Sequence, residues 1–304
     1  MSVELRAPVL EDAAAIAAAL NEFNRPVGFD LDSPEEVAVW LEFPSFDLAK
    51  DVRVALVDGQ IVGYAEATDL GGEGRFVFAD ARSALPDAAE ALLRFVEERA
   101  RELAAPEGKL RIWTAEKAEA WRESLEARGY HLQRYSLRML RDLDRELPEP
   151  RWPAGIEVRT PIDEEDERAA YEVEQETFAD QGDDFVPERF EDWLHWMKRE
   201  PFDSTLWFLA FEGDELAGIS LCRGEWTGDE DFGWVSILGV RGPWRRKGLG
   251  SALLLHSFRE LRARGKKRVG LGVRADNATG AVRLYERVGM RIVSRMLWYE
   301  KAAA

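Results

Sequence analysis

The chain has 304 residues, with 41 Lys and Arg against 58 Asp and Glu and a formal net charge of -17. This length predicts two domains of ordinary size, and the excess of acid argues against a nucleic-acid-binding protein. Every uncharged apolar run is shorter than the ~18 residues that suggest a membrane span, and the single Cys222 excludes an intramolecular disulfide. Glu4, Glu11 and Asp12 stand where a signal peptide would be basic or apolar, so we expect a cytoplasmic protein.

The charge is distributed unevenly along the chain. Residues 241–301 contain 16 Lys and Arg against 4 Asp and Glu, a local charge of +12, so the remainder carries -29. The basic residues lie among apolar core positions rather than in a tail, which disfavours a long polyanion as partner. This segment is therefore typical of a site for a compact anion.

Two copies of one plan follow each other along the sequence. VELRAPVLEDAAAI near the start is similar to IEVRTPIDEEDERAAYEV, VALVDGQIVGYAEA to LAFEGDELAGISLC, and LEARGYHLQRYSLRML to LYERVGMRIVSRMLWYE. Between the copies, residues 144–155 contain three prolines and a glycine, which favour a stiff linker. We therefore predict one domain at 1–143 and a second at 156–304.

The second copy predicts the order β-α-β-β-β-α-β-α-β. A strand in IEVRTPI precedes charged helical stretches through Lys198, a hairpin turns at Gly-Asp between TLWFLAFEG and ELAGISLCRGE, and DFGWVSILGV is a further strand. A helix from Gly250, a strand in KRVGLGV, a helix over about 278–288 and a strand in RIVSRMLWYEK complete the copy. The fold class is therefore α/β, built on a mixed sheet.

The string RRKGLG at 245–250 lies between a predicted strand and a predicted helix. Main-chain N–H groups at a helix N-terminus bind phosphate, helped by the positive end of the helix dipole. Gly248 and Gly250 would admit a diphosphate to the main chain or adopt the φ that a tight loop requires. The string lacks the third glycine of a dinucleotide fingerprint and the G-K-[ST] of a P-loop. A basic helix start with a glycine turn is the alternative interpretation.

The order of elements and this loop together resemble the Gcn5-related N-acetyltransferase (GNAT) family, whose signature is [Q/R]-x-x-G-x-[G/A] after the fourth strand. VRADNATGAVRLYERVGM is similar to a later motif of that family, and TFADQGDDFVPERFEDWLHW resembles bacterial tandem-domain members of the mycothiol synthase type. The resemblance implies two tandem acyl-CoA N-acyltransferase folds, the first degenerate. It also implies acetyl-CoA as cosubstrate, no metal, and acetyl transfer to a primary amine of a small molecule.

The resemblance further implies roles for individual residues. A main-chain N–H near Leu238 would polarise the thioester carbonyl, and Tyr285 would act as acid or stabilise the leaving thiolate, unless it is a packed core tyrosine. Trp234 stands where histone-modifying members carry a catalytic glutamate. The acidic loop just before the strand contains Glu225, Asp229, Glu230 and Asp231, of which Glu225 is the tentative base; the alternative is a chain of water molecules. The predicted cofactor-binding residues are Leu238, Gly239, Val240, Arg245, Arg246, Lys247, Gly248, Leu249, Gly250, Ser251, Asn277 and Tyr285.

The first copy lacks both of these features. Pro86 and Asp87 begin its helix without an intervening glycine loop, and Ser124 and Leu125 replace Leu284 and Tyr285. We predict that residues 1–143 keep the fold without binding CoA and help to shape the acceptor cleft. The missing glutamate leaves a second function open, a catalytically silent CoA-binding or regulatory module. We expect a monomer or homodimer with no nucleic-acid or membrane partner.

Overall fold

A computed structural model describes residues 2–28, 31–69, 73–180, 185–276 and 280–303. The first half of the chain contains β1 Glu4–Arg6, α1 Ala13–Val27, α2 Pro34–Leu41, α3 Leu48–Asp51, β2 Val52–Val57, β3 Gln60–Thr68, β4 Phe76–Ser83, α4 Pro86–Leu103, β5 Lys109–Ala115, α5 Glu119–Ala127 and β6 His131–Asp142. The second half contains β7 Ile156–Arg159, α6 Glu164–Ala179, α7 Phe190–Met197, β8 Trp207–Glu212, β9 Glu215–Arg223, β10 Phe232–Val240, α8 Leu249–Ala263, β11 Arg268–Arg274, α9 Ala281–Arg287 and β12 Arg291–Ala302. The predicted order of the second copy is confirmed, with α6 and α7 in its first helical stretch. In the described ranges no helix combines the length and apolarity needed to cross a membrane.

The chain forms two compact units. Unit 1 consists of Met1–Ser136 with Ser294–Ala304, and unit 2 of Leu137–Val293. Strands follow the order β1-β2-β3-β4-β5-β12 in unit 1 and β7-β8-β9-β10-β11-β6 in unit 2. The parallel pairs β4–β5 and β10–β11 lie in otherwise mostly antiparallel sheets. The mixed α/β class is thus confirmed, while the domain limits 1–143 and 156–304 stay a prediction that the compact units do not follow.

Each unit takes its last strand from the other half of the chain. In unit 1, β12 pairs antiparallel with β5, from Met296–Ala115 to Ala302–Lys109, and in unit 2 the second half of β6 lies beside β11. A main-chain hydrogen bond just after each of these two strands fixes its end. The Ala303 N–H donates to the Gly108 carbonyl at 2.9 Å, and the Leu143 N–H to the Lys267 carbonyl at 2.8 Å. Each sheet therefore needs a strand that lies far away in sequence.

Helices cover both faces of each sheet. In unit 2, α8 packs on one face of the sheet, and α6 and α7 pack on the other, which we call the α6 face. In unit 1, α4 takes the place of α8, and α1 and α2 take the places of α6 and α7. The apolar side chains of these helices recur at the i, i+3, i+4 spacing of a one-sided helix. The most deeply buried include Leu253, Phe258 and Leu261 of α8, Val173 of α6, Leu92 and Val96 of α4, and Ile16 and Leu20 of α1.

The first strand and first helix of each copy are clamped in the same way. An Arg6–Asp12 ion pair of 2.6 Å corresponds to Arg159–Asp166, joined at 2.7 Å. In both clamps the carboxylate also accepts a main-chain N–H bond of 2.8 Å. The arginine hydrogen bond is the main cause that lowers the pKa of Asp12 and of Asp166. The sequence similarity between the two beginnings thus corresponds to one shared device.

Candidate active site

The loop between β10 and α8 contains two residues with left-handed backbone and ends at an uncapped helix N-terminus. Residues 242–244 form a 3-10 turn, and Arg246 and Gly248 follow with φ of +62° and +95°. Gly248 is the N-cap of α8 and supplies no side chain. Within the described residues, no side chain accepts from the N–H groups of 249–251, which a helix start leaves without internal partners. These N–H groups are therefore available to an external anion.

Gly248 and Gly250 of the loop differ in whether the protein's own structure requires a glycine. Gly248 is exposed, an added Cβ would meet nothing within 4 Å, and its φ of +95° is the reason for glycine. Gly250 has ordinary helical backbone, and an added Cβ would lie 3.5 Å from Leu284 and Val240, a normal contact distance. The protein alone thus explains glycine at 248 but not at 250.

Two arginines at the loop are engaged by acidic residues of α6 and its C-cap. Arg245 donates to the Val240 carbonyl at 2.8 Å and pairs with Asp180 at 2.6 Å. Arg241 pairs with Glu176 at 2.8 Å. These half-exposed pairs contribute less than about 1 kcal/mol each, and they direct both guanidinium groups toward α6. The cofactor contact expected of Arg245 stays a prediction.

Two further cations lie on the rim of the same loop. Arg246 and Lys247 are exposed, and in the described part of the chain neither forms an ion pair. Their charges are therefore directed at solvent beside the α8 N-terminus.

Strands β10 and β11 separate after their first residues. Their parallel register runs from Phe232–Arg268 to Trp234–Gly270, whereas β10 continues to Val240 and β11 to Arg274. The opposite edge of β10 stays paired with β9 up to Val240–Gly218. Among the described strands, none pairs with the β11-facing edge of 238–240. This edge can accept an extended ligand in the manner of an added strand.

A bulge and a close helix approach shape the middle of β10. The register on β9 shifts between Val235 and Ile237, so Ser236 is bulged. Bulges redirect side chains and are frequent beside active sites. Further along, an added Cβ at Gly239 would lie 2.8 Å from Oγ1 of Thr177 on α6. Gly239 therefore lets α6 pack directly onto β10 next to the open edge.

Tyr285 is brought to this region by the short helix α9. Leu284 of α9 reaches the start of α8, within 3.5 Å of the Cβ position at Gly250. The Tyr285 side chain is only 6% exposed and belongs to the same apolar core as α8. Burial raises the pKa of its phenol to about 12. The hydroxyl is therefore protonated at neutral pH and can act as a hydrogen-bond donor.

Glu225 lies half-buried on the loop between β9 and β10. The next residue, Trp226, stacks on Trp234 of β10 with centroids 4.1 Å apart and an interplanar angle of 14°. This contact folds the loop over β10, so Glu225 is held near the start of that strand. Its role as proton acceptor stays a prediction, and Asn277, expected to contact CoA, lies outside the described residues.

A buried carboxyl group on α6 was not predicted from the sequence. Trp193 of α7 donates its indole N–H to Glu174, and burial raises the pKa of Glu174 to about 8. Burial likewise raises the pKa of the nearby Glu188 to about 7. The available signal was the position of Glu174, which falls on the buried face of α6 between Ala170 and Thr177.

Comparisons with curated proteins identify relatives over nearly the whole chain. The mycothiol acetyltransferase of Geodermatophilus obscurus is 34% identical over 298 residues, covering 91% of each protein. The mycothiol acetyltransferase of Streptomyces coelicolor is 35% identical over 62% of this chain and 60% of its own length. The model of the "Acetyltransferase (GNAT) family" matches residues 167–290.

Solved structures show the same architecture. A GCN5-related N-acetyltransferase from Sphaerobacter thermophilus is 30% identical and superimposes with a TM-score of 0.78, covering 99% of this chain and 96% of that one. A tandem GNAT protein from the clavulanic acid biosynthesis pathway is 17% identical and shares the fold, with a TM-score of 0.72 over 100% and 99% of the two chains. With the glycine loop and the separated strands, the full-length similarity shows that the chain belongs to the GNAT acetyltransferase family and is an acyltransferase with a tandem fold.

Proposed function

We propose that the protein transfers the acetyl group of acetyl-CoA to a primary amine of a small molecule. One observation carries the proposal. The uncapped N-terminus of α8 and the open edge of 238–240 lie at the same end of β10. CoA carries a diphosphate and an extended amide arm, and these two features match the helix start and the strand edge in that order.

The loop and the strand edge divide the binding of acetyl-CoA. Main-chain N–H groups at 246–251 would hold the diphosphate, and Arg246 and Lys247 would neutralise phosphate charge from the rim. The edge of Leu238, Gly239 and Val240 would pair with the pantetheine arm. This division also explains the local charge of +12 in an acidic chain, because the cations complement the phosphates of a compact ligand.

The chain's own residues would then position and polarise the reacting groups. Acetyl-CoA supplies the thioester when it is bound. A main-chain N–H near Leu238 would donate to the carbonyl oxygen as charge develops there. As the amine forms its C–N bond and the C–S bond breaks, Tyr285 would donate a hydrogen bond to the sulfur. Because burial raises the pKa of Tyr285 to about 12, stabilisation of the thiolate is favoured over full transfer of the phenolic proton.

The proton of the attacking amine needs an acceptor. Trp234 cannot take it, and we propose Glu225, directly or through water, because the stacking of Trp226 on Trp234 holds its loop over β10. The acceptor itself is a small molecule on this proposal. The mycothiol acetyltransferase of Geodermatophilus obscurus is 34% identical over 91% of this chain, so the acceptor on which that enzyme acts is the first one to test.

The experiment measures thiol release from acetyl-CoA with a library of primary amines. We expect turnover above the rate of acetyl-CoA hydrolysis for at least one amine, and a decrease in kcat for Tyr285→Phe. A protein that binds CoA by calorimetry but acetylates no amine would instead be the silent CoA-binding module. Exposed Tyr135, a tyrosine of unit 1, supplies the control variant Tyr135→Phe, which should keep full activity.

A further inference from the structure

Ser236 of β10 lies outside the register of both neighbouring strands. The pairing with β9 shifts between Val235 and Ile237 and leaves Ser236 without a partner there. The pairing with β11 ends two residues earlier, at Trp234. A bulge of this kind leaves one residue unpaired and redirects its side chain. Ser236 therefore stands where β10 and β11 begin to separate.

The packing around the bulge places Ser236 on the side of α8. Ile237 belongs to the core on the α6 face, whereas Leu238 and Val240 pack against the core under α8. Side chains alternate along a strand, so Ser236 shares the side of Leu238 and Val240. Val235 belongs to the core under α8 as well, as expected where two residues of a bulged strand oppose one residue of its partner.

The side chain of Ser236 reaches the gap between β10 and β11. Ser236 is partly exposed, whereas its neighbours Val235 and Ile237 are only 3% and 8% exposed. Helices cover both faces at these neighbours and β9 occupies one edge, so the exposed part of Ser236 faces the gap. Within the described part of the chain, its hydroxyl forms no hydrogen bond. A serine hydroxyl can both donate and accept, so this one is available to a ligand in the gap.

The other wall of the gap is open as well. Gly272 of β11 lies two residues beyond Gly270, which is the last residue paired with β10 and lies opposite Trp234. Ser236 lies two residues beyond Trp234, so Gly272 and Ser236 stand at about the same level of the gap. Gly272 is exposed, and an added Cβ there would meet nothing within 4 Å. A small molecule can therefore approach Ser236 over Gly272.

Ser236 lies at the end of the proposed path for acetyl-CoA. Val240 is next to the start of α8, within 3.5 Å of the Cβ position at Gly250, and the strand edge continues from it through Leu238 to Ser236. Leu238, whose main-chain N–H is the proposed donor to the carbonyl oxygen, is two residues from Ser236, about 7 Å along an extended strand. An attacking nitrogen stands about 3–3.5 Å from the carbonyl carbon. The Ser236 hydroxyl is therefore within hydrogen-bonding reach of that nitrogen.

We infer that Ser236 is a catalytic residue that accepts a hydrogen bond from the attacking amine and relays its proton. As the C–N bond forms, a nitrogen proton passes to the Ser236 oxygen, and the hydroxyl proton passes to a water molecule in the gap. That water passes a proton to the Glu225 carboxylate, and the electron pair of the C–S bond leaves on sulfur. The inference rests on the proposed function and deepens it by naming the group that touches the amine.

The first test is Ser236→Ala, assayed with the primary amine of the library that the unaltered protein acetylates fastest. We expect kcat to fall by a factor on the order of 10–100, because water replaces the hydroxyl only in part, with little change in the KM for acetyl-CoA. The loss should be larger at pH 7 than at pH 9, since hydroxide can take the proton without a relay. Ser236→Thr keeps a hydroxyl and should retain most of the activity.

The matched control is Ser204→Ala, at an exposed serine of unit 2. This variant should keep the kcat and the pH profile of the unaltered protein. An unchanged kcat in Ser236→Ala would overturn the inference. A loss that is equal at both pH values and is not restored in Ser236→Thr would overturn it as well, because a packing defect behaves in this way.

A second test measures the position of Ser236 without an amine. In Ser236→Cys the thiol would lie beside the thioester carbonyl, so it should exchange with acetyl-CoA, gaining the acetyl group as the CoA thiol leaves. Intact-mass measurement should show this gain at least tenfold faster than in Ser204→Cys, and the native Cys222, which is 2% exposed, should not react. Equal rates in the two variants would overturn the inference.

The two tests separate this inference from the proposed function. If the unaltered protein acetylates an amine but Ser236→Ala or Ser236→Cys gives the contrary result, only the inference is overturned. If the unaltered protein acetylates no amine, the proposed function fails and the relay fails with it.

Discussion

Unit 1 and unit 2 contain the same strand-to-helix junction with different chemistry. The residue before α4 is Leu85 with φ of -95°, and the residue before α8 is Gly248 with φ of +95°. Both helices begin with the same main-chain hydrogen bond. The Ala89 N–H donates to the Leu85 carbonyl at 2.9 Å, and the Ala252 N–H donates to the Gly248 carbonyl at 3.0 Å. The fold therefore forms without a left-handed turn, so the fold alone does not explain why unit 2 has one.

The units differ again at the position of Tyr285. The Met290 N–H donates to the Tyr285 carbonyl at 3.0 Å, and the Tyr130 N–H donates to the Leu125 carbonyl at 3.1 Å. The same turn thus places a fully buried leucine in unit 1 where unit 2 has a phenol. Leucine provides the packing of this site without the hydroxyl, so packing alone does not account for Tyr285.

The third difference lies on the middle strand. Arg82 of β4 stands one residue before the Ser83–Gly63 pair, as Gly239 of β10 stands one residue before the Val240–Gly218 pair. In unit 1 this arginine is buried and pairs with Asp80 at 2.6 Å and with Asp32 at 3.1 Å. Ion pairs thus occupy, in unit 1, the face of β4 at the position that corresponds to Gly239 of unit 2. We therefore expect one CoA site per chain.

The largest effect is expected from cutting the chain at the linker. A fragment of residues 156–304 lacks Leu137, Met139, Leu143 and Leu147, all buried in the core of unit 2. Each such loss costs about 2–5 kcal/mol, so together they are comparable with or larger than a total stability of about 5–15 kcal/mol. We expect circular dichroism to show no cooperative melting of the fragment. Addition of residues 1–155 should restore it, and a cooperative melt of 156–304 alone would refute the strand exchange.

The next effect tests the turn at α8. Gly248→Ala forces a side chain into left-handed backbone and places a methyl group beside the helix N-terminus. We expect a loss of stability of about 1–2 kcal/mol, and calorimetry should show CoA affinity reduced by a factor on the order of 100. Unaltered protein should bind one CoA per chain. A second CoA with similar affinity would remove the functional contrast between the units.

The control for this variant lies at the other end of α8. Gly265 has φ of +83°, and an added Cβ there would also meet nothing within 4 Å. Gly265→Ala should therefore cost the same stability but leave CoA binding unchanged. Equal losses of CoA binding in the two variants would show that backbone strain, rather than contact with the ligand, is responsible.

A smaller effect is expected from Tyr285→Phe. Phenylalanine preserves the packing of this buried side chain, so the melting temperature should change little, whereas kcat should fall by a factor on the order of 10–100 because one hydrogen bond to the leaving sulfur is lost. The KM for acetyl-CoA should stay close to its original value. Leu125→Phe in unit 1, the structurally corresponding position, should not change kcat, and an unchanged kcat in Tyr285→Phe would assign Tyr285 to packing.

Local patterns predicted the elements and the glycine loop but not long-range pairing. The alternation in RIVSRMLWYEK predicts a strand. The same alternation would be present whether that strand paired within its own copy or with β5, so the sequence pattern could not predict the exchange. The pairing of Arg245 with Asp180 joins residues distant in sequence and was equally invisible. Arg138 was assigned to the first copy, and only the strand order places it in unit 2.

The last effect concerns stability alone and depends on Glu174, a buried acid of α6 that accepts a hydrogen bond from Trp193. The pKa of Glu174 rises from an ordinary 4.5 to about 8 through burial, so between these values the folded protein retains a proton that the unfolded chain releases. Unfolding then releases protons, and the free energy of unfolding falls as pH rises through this interval. Glu174→Gln keeps an acceptor for the indole and removes the titration.

Urea unfolding from pH 5 to pH 8.5, followed by tryptophan fluorescence, measures this effect. The unaltered protein should lose a few kcal/mol across this range, part of it from Glu188 and from Glu66 of unit 1, whose pKa values burial raises to about 7. The Glu174→Gln variant should lose distinctly less, while Glu172→Gln, on the exposed side of α6, should match the unaltered protein. Parallel pH profiles in all three proteins would mean that Glu174 is ionised in the folded state, and would make it a charged neighbour of Trp193 rather than a neutral one.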